Sequence, residues 1–347
     1  MIYRNQFDYS LSSLDDNPDD KLSKFRVEPR DNAYALGISL TRRCNFNCMF
    51  CYYHSPEHTK FENHSLYKEL APESLEKIME TLPYLSAVNV SLEGEAFSHS
   101  RFLLCLEIIS CHTASIILTT NGNLLSKELI EQVAALNKCR IILSFEEGSA
   151  AEYEYFRKGA NFEKFKTAVG LLNDSSIDYL VYSILFHENK DSFLNYPRLA
   201  SRLGIKKCGI GALRECPSSR ANNLHKIPES EMVQYLRKLH EQFLQNQVTV
   251  EYEPYMVSRQ IRETLKSEGL NFSDHYVYVD EFCDLPWYYT SILADGRIFP
   301  CCGDFNPLEV GKYTFDTIFN NRYLLLLRKK IAEKHVPEVC LKCRNLL

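Results

Sequence analysis

The sequence lacks long apolar runs, an apolar leader and any strongly basic stretch. Its most apolar runs, such as residues 179–186, are far too short to span a bilayer. Residues 1–34 are polar and Asp-rich, without the apolar segment of a secretory signal. The 347 residues carry a net charge of −5, which disfavours binding driven by nucleic-acid phosphates. We therefore expect a cytoplasmic protein that binds neither a membrane nor a nucleic acid.

Cysteine, in contrast, occurs 13 times. A reducing compartment and an odd number of thiols both disfavour a disulfide framework, so metal or cluster binding is favoured for cysteines that lie close together in the sequence. Two groups of cysteines do so. The first has the spacing C-x3-C-x2-C and comprises Cys44, Cys48 and Cys51; the second comprises Cys283, Cys301, Cys302, Cys340 and Cys343.

Short apolar segments alternate with amphipathic segments between residues 35 and 213. Six of the apolar segments predict strands, at 34–41, 87–95, 115–122, 139–145, 177–186 and 206–213. Strands that alternate with helices predict a parallel sheet with right-handed crossovers. Six such units favour an α/β fold of the (β/α)6 partial TIM barrel type, because a complete barrel needs eight. A doubly wound sheet is an alternative that periodicity alone does not exclude.

The predicted domain organisation has four parts. An N-terminal arm (1–34) precedes the partial barrel (35–225), and a helical bridge (226–282) leads to a small C-terminal α+β domain (283–347). Within the last part, residues 287–302 predict two short strands around an Asp-Gly turn. This C-terminal part contains the whole second cysteine group.

The cysteine triplet directly follows the first predicted strand. In a parallel barrel this loop lies on the C-terminal face, where active sites are built. Three thiolates can hold three irons of a 4Fe-4S cluster and leave the fourth iron open to chelate a ligand through an amino nitrogen and a carboxylate oxygen. Two alternatives remain at this point: a zinc site that adds His54, and a ferredoxin-type cluster with a remote fourth cysteine.

The triplet and three later segments, in this order, resemble the radical S-adenosylmethionine (SAM) superfamily. Residues 91–97 (SLEGEAF) resemble its Gly-Gly-Glu-Pro turn, although Glu93 and Ala96 depart from the first glycine and the proline. Residues 119–125 (TTNGNLL) resemble the Thr-Asn-Gly end of the third strand. Residues 142–165 resemble the strand-four serine and the Arg-x-Gly that follows it.

This resemblance implies a site for one cluster and one SAM molecule. Cys44, Cys48 and Cys51 would hold the cluster. The resemblance also implies a role for each cofactor-binding residue: Glu95 on the SAM amino group, Ser144 on its ribose, Arg157 on its carboxylate, Phe50 against its adenine, and Asn121 in the Thr-Asn-Gly segment. Such enzymes cleave SAM reductively to a 5′-deoxyadenosyl radical that abstracts a substrate hydrogen, with an electron from a flavodoxin- or ferredoxin-type donor.

The second cysteine group resembles the auxiliary-cluster domain called SPASM, in its shortened form, twitch. The resemblance implies one auxiliary 4Fe-4S cluster held by Cys283, Cys301, Cys340 and Cys343. A zinc ribbon remains an alternative, because C-x2-C also suits zinc. Cys302 lies next to a predicted ligand and is either a catalytic hydrogen donor to a substrate radical or a small buried residue.

Our leading hypothesis is a radical SAM oxidoreductase. A fully ligated auxiliary cluster is suited to moving an electron, which favours a two-electron oxidation of a small polar metabolite such as a sugar or aminocyclitol. The cysteine spacing resembles that of 2-deoxy-scyllo-inosamine dehydrogenase, a twitch enzyme. A peptide-modifying maturase is the second hypothesis, disfavoured by the short segment before the first strand. A non-catalytic iron–sulfur or zinc-binding protein is the third, but it leaves Glu95 and the Thr-Asn-Gly segment unexplained.

Overall fold

The computed structural model describes residues 20–55, 68–146, 148–213, 221–273, 278–279, 282–283, 285–300 and 308–335, together with residues 337 and 340. Its strands are β1 (Ala35–Ile38), β2 (Asn47–Cys48), β3 (Ala87–Val90), β4 (Ile116–Thr120), β5 (Cys139–Ser144), β6 (Arg157–Lys158), β7 (Asp178–Leu185), β8 (Lys207–Ala212), β9 (Thr249–Tyr252), β10 (Tyr278–Val279), β11 (Phe282–Cys283), β12 (Tyr289–Ile292) and β13 (Ile298–Phe299).

The α-helices of the described residues are α1 (Pro72–Met79), α2 (Phe102–Cys111), α3 (Lys127–Ala135), α4 (Ala150–Phe156), α5 (Phe162–Asn173), α6 (Lys190–Phe193), α7 (Tyr196–Arg202), α8 (Glu229–Gln245), α9 (Arg259–Ser267), α10 (Phe315–Phe319) and α11 (Arg322–Ala332). Short 3-10 helices span Asp20–Phe25, Ala96–Ser98, Pro254–Met256 and Leu285–Trp287. None of the helices in the described ranges is both long and apolar enough to cross a membrane.

A nine-stranded sheet organises these elements in the order β13-β12-β1-β3-β4-β5-β7-β8-β9. Six of its strands are the six predicted from the sequence, and neighbouring strands among them run parallel: β1, β3, β4, β5, β7 and β8. Their order follows the chain without the reversal that defines a doubly wound sheet. The predicted α/β fold with six β/α units is therefore confirmed.

Three strands extend the sheet beyond those six: β9 at one edge, and β12 and β13 at the other. β9 lies in the bridge that the sequence predicted to be helical, and it pairs in parallel with β8. β12 belongs to the C-terminal hairpin and pairs in parallel with β1, with Ala35 opposite Tyr289 and Ile38 opposite Ile292. The barrel and the C-terminal part consequently share one sheet.

The sequence also explains where helices begin. The side chains of Ser126 and Asn161 accept backbone N–H groups of Leu129 and Lys164, as expected for N-cap residues. The segment between β7 and β8 forms two helices, α6 and α7, and Pro197 lies in the first turn of α7. Proline is tolerated there because a first-turn N–H has no partner within the helix.

Strand residues alternate between two faces of the sheet. The outer face packs against the helices and forms the core, with Ile38, Val90, Leu118, Leu143 and Val181 fully buried. The alternating positions form the inner face, whose polar residues include Asn89, Thr119, Ser144 and Tyr182. This inner face leads to the carboxyl ends of the strands, where the candidate site lies.

Arg328 of α11 holds three distant segments together. Its side chain donates from Nε to the Pro286 carbonyl at 2.9 Å, from Nη1 to the Phe25 carbonyl at 3.0 Å, and from Nη2 to the Phe319 carbonyl at 2.5 Å. The residue is 0% exposed, and burial lowers its pKa to about 10. The cation therefore ties the residues before β1 to the C-terminal part.

Candidate active site

The cysteine triplet lies in the loop after β1, at the carboxyl edge of the sheet. Two of its sulfur atoms accept backbone hydrogen bonds: Cys44 Sγ from Phe46 N at 3.4 Å and Cys51 Sγ from His54 N at 3.3 Å. The third sulfur, Cys48 Sγ, lies 3.9 Å from Arg157 Nη1. Hydrogen bonds of this kind stabilise negative charge on sulfur, which is the state in which cysteine binds metal.

The triplet is suited to a cluster by the chemistry of its donor atoms. Burial raises the pKa of Cys44 to about 12 and that of Cys48 well above its usual value. Thiolates in this loop therefore need the positive charge of bound metal, and soft thiolates are the ligands that iron–sulfur clusters use. His54, which would complete a zinc site, donates from Nε2 to the Glu93 carbonyl at 2.9 Å.

A two-stranded ribbon that the sequence did not predict joins the triplet to Arg157. β2 pairs antiparallel with β6, which places Cys48 opposite Arg157 and Asn47 opposite Lys158. Gly159 follows with φ +94°, and a Cβ atom there would lie 2.8 Å from the Asn45 carbonyl oxygen. The glycine of the Arg-x-Gly pattern thus permits close approach to the cluster loop.

Arg157, expected on the SAM carboxylate, has protein partners in this structure. It is 5% exposed, forms an ion pair with Glu146, and places its guanidinium 5.4 Å from the centre of the Phe50 ring. Burial raises the pKa of Glu146, although the charge of Arg157 opposes that shift. Phe50 also packs against Phe186, at 6.0 Å between ring centres. Sequence reasoning missed Glu146, because a carboxylate in a Glu-rich turn is typical of exposed surface.

Glu95 joins two of the segments that carry the resemblance. It is 4% exposed, and its carboxylate accepts from Thr120 Oγ1 and from the backbone N–H of Asn121, both at 2.8 Å. Burial raises the pKa of Glu95 to about 6, while these hydrogen bonds lower it. At neutral pH the side chain is mostly ionised and can bind an ammonium group.

The turn that contains Glu95 packs closely against the cysteine loop. A Cβ atom at Gly94 would lie 2.4 Å from the Arg43 carbonyl oxygen and 2.6 Å from that of Thr41, so only glycine has room here. Asn121 Nδ2 donates to Asn45 Oδ1 at 2.8 Å. The structure therefore brings the cysteine loop, Glu95 and the Thr-Asn-Gly segment together.

Ser144 ends β5 and lies opposite Tyr182 of β7. Tyr182 Oη donates to Glu253 Oε1 at 3.3 Å and lies 3.4 Å from Tyr255 Oη. Both tyrosine hydroxyls lie directly over Gly211, where a Cβ atom would be 2.3 and 2.5 Å from them. Sequence reasoning missed this group because Tyr182 lies within an apolar strand.

Part of the second cysteine group lies in the described residues. Cys340 is buried, and Cys283 packs against the same apolar cluster, which includes Leu285, Tyr289 and Leu327. Cys301, Cys302 and Cys343 lie outside the described residues, so their roles as ligands or hydrogen donor remain predictions.

Comparison with known protein families gives two matches. Residues 38–200 match the radical SAM superfamily, and residues 283–344 match SPASM, an iron–sulfur cluster-binding domain. A protein named "Probable GTP 3′,8-cyclase" from Thermococcus kodakarensis is 31% identical over 110 residues, which is 31% of this chain and 34% of that protein. The chain thus spans about a third of that relative.

Solved structures share the fold. SuiB of Streptococcus suis bound to S-adenosylmethionine superposes with a TM-score of 0.61 at 14% identity, covering 93% of this chain and 74% of SuiB. Native anSMEcpe with bound AdoMet superposes with a TM-score of 0.62 at 18% identity, covering 90% of each chain.

Proposed function

This chain is a radical SAM enzyme with a C-terminal SPASM domain, and from that premise we propose that it catalyses a two-electron oxidation of a small polar metabolite such as a sugar or aminocyclitol. The observation that carries the radical SAM part of the proposal is the contact of Glu95 with Thr120 and Asn121 beside the cysteine loop. The polar group at Tyr182 supports the substrate class.

The chain's own residues would bind and orient the cofactors. We assign the SAM-binding cluster to Cys44, Cys48 and Cys51, and the SAM ammonium group to Glu95. A cluster and a SAM molecule held by these residues would supply radical hydrogen-abstraction chemistry to a bound substrate. Arg157 lies beside Cys48 and Phe50, so its cation can attract the SAM carboxylate while Glu146 keeps the guanidinium in place.

The substrate class is inferred from the inner face of the sheet. Tyr182 and Ser144 are neighbours in register, and Ser144 is the residue we assign to the SAM ribose. Tyr182 lies on the strand next to Ser144, and its hydroxyl, the Tyr255 hydroxyl and the Glu253 carboxylate offer hydrogen bonds over Gly211 of β8. Hydroxyl and amino groups of a small ring compound are suitable partners for such a group.

A peptide-modifying activity is the second candidate. The fold of this chain resembles that of SuiB, which has also been solved bound to its precursor peptide SuiA (TM-score 0.62, 13% identity). The alternative reaction would be crosslinking, epimerisation or oxidation of a peptide. In either case we expect a flavodoxin- or ferredoxin-type protein as the electron donor.

Anaerobic reconstitution tests the proposal. Two 4Fe-4S clusters require about eight irons per chain, and the reduced protein should convert SAM to 5′-deoxyadenosine. Aminocyclitols and sugars should then be compared with peptides for substrate-dependent release of 5′-deoxyadenosine and a product two hydrogens lighter. Absence of SAM cleavage would refute the radical mechanism, whereas a response to peptides alone would favour the second candidate.

A further inference from the structure

Glu93 stands where the resembled turn has its first glycine, and its carboxylate contacts two other segments. One oxygen accepts from Arg42 Nε at 2.6 Å, and the other accepts from the backbone N–H of Ala294 at 2.8 Å. Arg42 lies just before the cysteine triplet, and Ala294 lies in the hairpin between β12 and β13. The Glu93 side chain is only 1% exposed.

Arg42 reaches the same hairpin. Its Nη2 donates to Asp295 Oδ2 at 2.8 Å, and this carboxylate also pairs with Arg297 at 2.7 Å. Burial by itself would raise the pKa of Asp295, but hydrogen bonds from Arg297 and the charge of Arg42 outweigh it and lower the pKa to about 2. Arg42, Glu93 and Asp295 thus form a buried, charged triad.

The triad is connected to the turn that carries Glu95. The backbone N–H of Glu95 donates to the Arg43 carbonyl at 2.8 Å, one residue from the arginine of the triad. Leu92, on the other side, has φ +94°, a conformation that costs energy in a residue other than glycine. Contacts from the Glu93 side chain can hold this strained backbone in place.

The triad is also connected to the second cysteine group. The β12–β13 hairpin lies in the chain between Cys283 and Cys301, two of the predicted auxiliary ligands. A glycine at position 93 would have no side chain to contact this hairpin. The carboxylate therefore makes a connection between the SAM turn and the auxiliary domain that the resembled glycine cannot make.

We propose that Glu93 is a positioning residue that couples SAM binding at the Glu95 turn to docking of the C-terminal hairpin. This inference rests on the SAM site proposed above. A coupling between two sites acts in both directions. Bound SAM should therefore stabilise the hairpin, and loss of the hairpin contact should weaken SAM binding.

Two measurements on the anaerobically reconstituted protein test the coupling. Hydrogen–deuterium exchange of residues 289–299 is followed with and without SAM, and the SAM dissociation constant is measured by equilibrium dialysis at equal iron content. In the unaltered protein, SAM should slow exchange of the hairpin. In E93Q, one acceptor becomes a donor that faces Arg42 or Ala294, so the dissociation constant should rise about tenfold and SAM should no longer change hairpin exchange.

A second variant tests the same contact in case E93Q does not fold. The double replacement R42M/E93L removes both charges together, which leaves no unpaired buried cation, and it should weaken SAM binding as E93Q does. Glu73→Gln is the matched control, because Glu73 pairs with Arg101 at the surface. This variant should bind SAM with an unchanged dissociation constant.

An unchanged SAM dissociation constant in both E93Q and R42M/E93L would overturn the coupling. It would also be overturned if SAM did not change the exchange rate of the hairpin in the unaltered protein. A reconstituted wild-type protein that binds no SAM would instead overturn the proposed function and this inference with it.

Discussion

Replacing Glu95 by glutamine removes the negative charge at the proposed SAM site but keeps nearly the same side-chain shape. One carboxylate oxygen of Glu95 accepts from Thr120 Oγ1 and the other from Asn121 N, both at 2.8 Å. A glutamine can keep its oxygen on the Asn121 N–H and turn its amide nitrogen to the threonine hydroxyl, which can accept as well as donate. It loses only the long hydrogen bond from Phe97 N, at 3.5 Å. The fold should therefore survive, and the main loss is the negative charge.

The size of that loss follows from the burial of the site. A hydrogen bond to a charged group contributes about 1.5–3 kcal/mol, and Glu95 is 4% exposed, so water screens little of the interaction. We expect E95Q to weaken SAM binding by about 2–3 kcal/mol, which is roughly 30- to 150-fold in the dissociation constant.

Equilibrium dialysis with labelled SAM on the reconstituted protein measures this change, with iron content and thermal midpoint as checks on folding. Glu131→Gln on α3 is the control, because the Glu131 side chain is 63% exposed and lies outside the site. A dissociation constant for E95Q that equals that of the control would refute the assignment of Glu95 to the SAM ammonium group.

Three further predictions address the C-terminal part. Replacing Arg328 by methionine should lower the free energy of unfolding by about 4 kcal/mol, because buried carbonyls lose their charged donor. Arg322→Met, at an exposed position of the same helix, should change it by less than about 0.5 kcal/mol; similar urea midpoints would contradict this. The double variant C340A/C343A should still form 5′-deoxyadenosine but lose oxidised product, whereas equal loss of both would indicate a purely structural cluster. Cys302→Ala should stop turnover after hydrogen abstraction if Cys302 is a hydrogen donor, and unchanged product formation would exclude that role.

The six barrel strands were predictable from the sequence because each is a short apolar segment that ends in turn residues. Helix starts were also predictable from local sequence, because Ser126 and Asn161 are residue types that cap helix N-termini. The position of β12 beside β1 was not predictable, because strand pairing between distant segments depends on packing and leaves little local signal.

The candidate site divides in the same way. The triplet, Glu95 and Asn121 were found because they belong to segments with a recognisable pattern. The buried carboxylates that pair with nearby arginines were not, because Glu146 and Asp295 lie in polar turns of a kind that usually faces solvent. Only the fold shows that these carboxylates are buried against Arg157 and Arg42.

The pairing of β12 with β1 limits how this protein can be divided. A fragment that stops before residue 289 would leave the backbone groups of Ala35–Ile38 unpaired along one side of the barrel. Open strand edges of this kind are where chains add to one another and aggregate. A cut between the two matched regions would therefore separate the barrel from β12, a strand of its own sheet.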